Sequence, residues 1–135
     1  MKRNRILGIG LAALLGCLAA TSLLASPAKT PTQAYLDFHA ALQKAKALDE
    51  VLPYLSKEYR AMLESQPKSD RAMWLGRLKD MSNGKDLKIT KETVNGDKCT
   101  LEGTATSAKG NVMQGKISLV KEGGAWKLDD EGWAT

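Results

Sequence analysis

Three glycine turns constrain this chain more than any other feature. Asn95-Gly96, Lys109-Gly110 and Gly123-Gly124 each carry the positive-φ preference of a tight hairpin. They separate four runs that read as strands: Leu87–Val94, Lys98–Ser107, Val112–Lys121 and Ala125–Asp130. Three successive hairpins imply a four-stranded antiparallel meander. The pleat then sorts the faces. Cys99, Leu101, Gly103 and Ala105 share one side of the second strand. Met113, Gly115, Ile117 and Leu119 share that side of the third, and Trp126 and Leu128 that of the fourth. A two-residue Gly123-Gly124 turn pairs Leu119 with Leu128. A two-residue turn at Asn95-Gly96 would face Ile89 the wrong way, so a bulge near Lys91–Thr93 is expected.

An apolar sheet face needs a cover, and the preceding residues supply helices. Thr30 can cap a helix that starts at Pro31, with Gln33 completing a capping box. Ala34, Phe38, Ala41, Ala45 and Leu48 follow at helical spacing, flanked by Tyr35 and Leu42. A second helical stretch begins at Asp49, with Leu52, Leu55, Tyr59, Met62 and Leu63 apolar and Pro53 dividing it. Ser69 is the expected cap of a third helix, whose stripe is Trp74, Leu75, Leu78 and Met81 and whose stop is Asn83-Gly84. The expected class is α+β: three N-terminal helices packed on one face of the meander, cone-like, in residues 27–135.

Residues 1–26 read differently. Met1-Lys2-Arg3-Asn4-Arg5 holds three positive charges, and Ile6 to Ala25 holds no charge, the pattern of a signal peptide. Small residues at Ala25-Ser26-Pro27-Ala28 suit cleavage. Leu14-Leu15-Gly16-Cys17 resembles a bacterial lipobox, so the alternative is a lipoprotein signal ending at Gly16 with acylation at Cys17. The expected location is periplasmic or extracellular, or anchored to the membrane through Cys17. The signal holds 3 of the 20 Lys and Arg and none of the 15 Asp and Glu, leaving 17 against 15, a net charge of +2. These charges alternate in sign, so no footprint for nucleic acid is seen. Cys99 would be the lone thiol of the domain, excluding an internal disulfide.

The chain resembles the nuclear transport factor 2-like superfamily, and within it the small exported bacterial families of unknown function. The resemblance is carried by Tyr35-Leu36-Asp37-Phe38-His39-Ala40-Ala41-Leu42, Leu52-Pro53-Tyr54-Leu55-Ser56, Gly96-Asp97-Lys98 and Gly123-Gly124-Ala125-Trp126-Lys127-Leu128. It implies a cone-shaped α+β fold. Enzymes of that superfamily place Asp, His or Tyr inside the cone; here the inward strand positions are apolar or glycine, and Tyr35 alone projects a polar group inward.

Candidate chemistry is sparse. His39, the only histidine, reads as a helix-surface residue and rules out a His-rich metal site. Asp129-Asp130-Glu131 reads as a solvated strand end, Cys99 as a small buried hydrophobe and Trp133 as the most exposed aromatic. No catalytic residue, metal site or cofactor is expected. Gly103, Ala105 and Gly115 form a bare inward patch, either filled by Phe38 or Trp74 from a covering helix or left hollow for a ligand. A pocket there would be lined by Tyr35, Phe38, Trp74, Gly103, Ala105, Met113, Gly115 and Trp126. The expected function is a non-enzymatic exported envelope protein that binds a partner protein or a small apolar ligand. The alternative is an isomerase- or dehydratase-like enzyme using Tyr35, Asp37 or His39.

Overall fold

The computed structural model describes residues 28–135, so the signal-like stretch and Cys17 lie outside the described residues. Helix α1 spans Pro31–Lys44, α2 Lys57–Glu64 and α3 Arg71–Met81; strands β1 (Lys85–Asn95), β2 (Lys98–Thr106), β3 (Val112–Glu122) and β4 (Ala125–Ala134) follow. The sheet is antiparallel in the order β1-β2-β3-β4, the expected meander. Gly123 and Gly124 make the last turn at φ 57° and 78°, joining the paired Glu122 and Ala125. The first turn falls one residue later than expected, on Gly96-Asp97, because Asn95 pairs with Lys98.

Helix boundaries follow local chemistry. Thr30 accepts from the Gln33 amide at 3.2 Å, and Pro31 needs no partner at the first helical position. The second stretch corrects expectation. Pro53 cannot propagate a helix, so Leu48–Glu50 and Leu52–Tyr54 are single 3₁₀ turns, and a true helix starts only after Ser56. Ser69 does not cap the third helix: it lies inside a further 3₁₀ turn, Lys68–Asp70, and its hydroxyl donates to Asp70.

Two strand carboxylates complete two helix starts. Glu92 on β1 accepts from the amide and hydroxyl of Thr32, the first available donors of α1. Glu122 on β3 accepts from the Lys57 amide at the start of α2, at 2.8 Å. Helix α1 has no acid in its own first turn, so the sheet supplies the negative charge its N-terminus favours.

Helices α1 and α2 rest on the sheet, while α3 packs chiefly against α1 and the 3₁₀ turns. Between them lies one core, including Tyr35, Phe38, Leu42, Leu55, Leu63, Leu101, Ile117, Leu119 and Leu128. Leu119 and Leu128 pair as expected, and Cys99 is buried. Met62 and Met81, expected in apolar stripes, are exposed.

Three register shifts, two in β1 and one in β4, set which residues face the core. In β1 the register shifts between Lys85 and Lys88 and again between Ile89 and Lys91, the second at one residue's remove from the expected place, and Ile89 turns inward opposite Gly103. In β4 the register shifts beside Leu128: Leu119 pairs with Leu128, but Ser118 pairs with Asp130. Asp129 is the extra residue, and it reverses the parity of everything after it. Glu131 then opposes Ile117 and Trp133 opposes Gly115, both on the inner face. The strand therefore runs to Ala134 instead of ending at Asp130.

Candidate functional site

The reversed end of β4 meets α1 and the end of α3 in a polar cluster. On α1, Tyr35, His39 and Gln43 lie four residues apart and share a face. Helix α3 stops at Ser82, whose amide still bonds back to the Leu78 carbonyl at 3.1 Å. The freed Ser82 carbonyl accepts from His39 Nε2 at 2.9 Å and from Gln43 Nε2 at 3.2 Å. That contact requires the proton of His39 to sit on Nε2.

The Ser82 hydroxyl donates to Glu131 Oε1 at 2.8 Å, and the Tyr35 hydroxyl donates to Glu131 Oε2 at 2.8 Å. Trp133 Nε1 approaches the same Oε2 at 3.5 Å. Glu131 is only 7% exposed, yet its partners are neutral donors; the ion pairs among the described residues lie elsewhere. This corrects the sequence reading of 129–131 as a wholly solvated end. Burial pushes the Tyr35 phenol far above its ordinary value, and the Glu131 charge and hydrogen bond raise it further. Burial also raises Tyr59, with help from Glu131 and then Asp130, to about 12.

Around this cluster Tyr35, His39, Ala105, Met113 and Trp133 close together, with no room for a water molecule between them. Trp133 is part of that closure and is half-buried, not the exposed aromatic its position suggested. A Cβ on Gly115 would lie 2.5 Å from Trp133 Cη2. One on Gly103 would lie 2.8 Å from the Lys88 carbonyl oxygen, and one on Gly84 2.7 Å from Ala105 Cβ. The glycine patch is thus filled, but by Trp133 and the β1 backbone, and neither Phe38 nor Trp74 fills it. Outside the closed cluster a cleft of about 350 Å³ opens between Asp80, Met81, Met113, Glu131, Gly132 and Trp133.

Of the residues expected to line a pocket, Tyr35, Ala105 and Met113 come together. Gly115 and Gly103 sit opposite each other under their covers. Phe38 is core, and Trp74 is half-buried on α3 with the Arg77 guanidinium 5.1 Å above its ring. Trp126 faces inward but is only half-buried, at the far end of the sheet with Tyr54 and Asp37. Asp37 pairs with Lys29 at 2.5 Å there, so His39 alone of the two turns toward the cluster. Glu131 and Ser82 were missed. The signal was available in Gly115: without a bulge it faces Gly132, whereas one extra residue sets Trp133 over it, and an aromatic over a strand glycine is a known stabilising pair.

Among the described residues no group of three or more His, Cys, Asp or Glu could hold a metal ion, and no helix is long and apolar enough to cross a membrane. No family model matches the chain, and no curated protein matches it. Two solved structures are similar to it. One is described as an NTF2-like transpeptidase from Campylobacter jejuni: TM-score 0.49, 14% identity, 76% of this chain and 99% of that chain covered. The other is a SEC-C motif containing protein from Rhodopseudomonas palustris: TM-score 0.48, 12% identity, 78% of this chain and 77% of that chain covered.

Proposed function

We propose that the chain is an exported envelope protein whose domain, of nuclear transport factor 2-like type, is a binding or accessory module and not a catalyst. The observation that carries this reading is the closed inner face. General acid–base work needs a reacting atom within hydrogen-bond reach of its acid and its base. Between Tyr35, His39, Met113 and Trp133 there is no room even for water, and both oxygens of Glu131 already accept hydrogen bonds from Tyr35 and Ser82. Partners are met on the outside: a protein or a small, largely apolar ligand. Export rests on the charged start and the uncharged Ile6 to Ala25, with Cys17 as the alternative lipid attachment.

Intact mass of the full chain, expressed with its own N-terminus and recovered from the envelope, tests the first half. The expected mass lacks roughly the first 16 to 28 residues; an unprocessed chain left in the cytosol overturns export. Native mass spectrometry of the same sample tests the second half. A ligand or protein held unaltered is expected, and a ligand chemically converted on incubation overturns the reading. One observation favours a second reading, an isomerase- or dehydratase-like enzyme: a buried carboxylate beside a tyrosine and a histidine. It would require Trp133 and Met113 to move aside and open the interior.

A further inference from the structure

We infer that the cleft beside Glu131 is a binding site for a small organic ammonium ion carrying an apolar group. The inference rests on the binding-module reading and names its ligand class.

The lining has one chemical character. Its ionisable residues are Asp80 and Glu131, both acids, and no Lys, Arg or His lines it. The rest is Met81, Met113, Gly132 and Trp133. An indole face attracts a cation through its quadrupole, and thioethers are polarizable surfaces that accept irregular apolar groups. The volume, about 350 Å³, lies at the small end of ligand sites. Three lines thus agree on a cation with an apolar body.

Glu131 adds the electrostatic reason. Its carboxylate is buried among hydroxyl and indole donors, with no ion-pair partner among the described residues. A buried charge without an opposite charge is costly, and Glu131 lines the cleft that an ammonium would enter. A metal ion is the poorer occupant. Among the described residues no group of three or more His, Cys, Asp or Glu converges to hold one, and an ion kept by its own waters gains nothing from the indole and thioether walls. An anion would face two negative charges and no positive one.

The test uses the full chain and phenethylammonium chloride as probe, with 2-phenylethanol as the uncharged analogue of similar size. The three tryptophan indole N–H resonances are followed by NMR, with the Trp133 signal assigned by its loss in Trp133→Phe. The expected result is a saturable shift of the Trp133 signal by the ammonium, at least about tenfold weaker for the alcohol, equivalent to one 1.4 kcal/mol step. Asp80→Asn changes an exposed side chain and leaves the fold intact; it should weaken binding about two- to fivefold. Glu131→Gln should weaken it about tenfold or more. Equal binding of amine and alcohol, no shift at Trp133, or an undiminished affinity in Asp80→Asn and a folded Glu131→Gln overturns the inference. Such a result leaves the binding-module reading standing if a protein partner is retained. Conversion of the probe to a new species would instead overturn that reading.

Discussion

Substituting Gly115 by valine tests the packing that closes the inner face. The new Cβ would sit 2.5 Å from Cη2 and 2.6 Å from Cε3 of Trp133, well inside van der Waals contact. A rigid indole cannot yield like the end of a flexible chain, so either the ring leaves or β3 and β4 separate. Overpacking of this kind costs about 1–3 kcal/mol. Trp133→Ala alone loses the ring's contacts. A fully buried tryptophan would cost about 3–5 kcal/mol, and this half-buried one should cost about 2 kcal/mol. The double variant carries the decisive number. With the ring gone the valine has space and a better strand propensity than glycine, so the second substitution should cost almost nothing. The cycle should show a favourable coupling of about 1–3 kcal/mol. Urea unfolding measures each corner, with unchanged slopes confirming that the same surface is exposed. Additivity within about 0.5 kcal/mol would refute the reasoning, since Trp133 could not then be what fills the space above Gly115.

Three further outcomes follow from the same geometry. Glu131→Ala strands the Tyr35 and Ser82 hydroxyls, whereas Glu131→Gln keeps an acceptor for at least one of them; the alanine variant should be less stable by a further 1–3 kcal/mol or so in urea melts. Glu122→Ala removes the acceptor of the Lys57 amide and should cost about 0.5–2 kcal/mol, with circular dichroism reporting loss confined to a short helix. Tyr59 has a folded pKa of about 12 against an ordinary 10.0, because burial and nearby carboxylates disfavour its anion. Its unfolded form therefore ionises first. Its contribution to stability is fully present below pH 10.0 and is lost as pH rises toward about 12. Urea midpoints across that range should fall steadily, with tyrosinate absorbance rising as the chain unfolds; a flat profile would refute the burial of Tyr59.

The meander was legible because its turns are written in glycine. Period-two alternation in β2 and β3 then placed Cys99, Leu101, Ile117 and Leu119 inward, and all four are buried. The β1 bulge was also legible, because Ile89 on a polar face would have been a contradiction. The β4 bulge was not. Past Leu128 the residues Asp129, Asp130 and Glu131 are all acidic, so hydrophobic alternation carries no information about which of them faces in. A carboxylate bonded to Tyr35 and Ser82 is tolerated inside, but those partners lie 96 and 49 residues away along the chain. Long-range hydrogen bonding of that kind leaves no mark in local periodicity. Helix existence was readable and helix continuity was not: from sequence Pro53 could start a helix or split one, and in the fold it falls in the second of two 3₁₀ turns, which ends where Leu55 bridges to Leu128.

The extra residue in β4 makes this end of the protein tolerant of a length change that would ruin an ordinary strand. Leu128 pairs with Leu119 and Asp130 with Ser118, so Asp129 takes no partner of its own. Deleting it would leave Asp130, Glu131 and Trp133 opposite the same residues of β3 and on the same faces, in a ladder without a bulge. Tyr35 and Ser82 would keep their common acceptor, and Gly115 its cover. Flattening the bulge with every residue kept is the opposite event: it would slide the tail by one place, set Gly132 against Gly115 and turn Glu131 and Trp133 out. In descent, a codon lost here would change the local twist and spare the interior, and an alignment would record one gap where the chemistry had not changed.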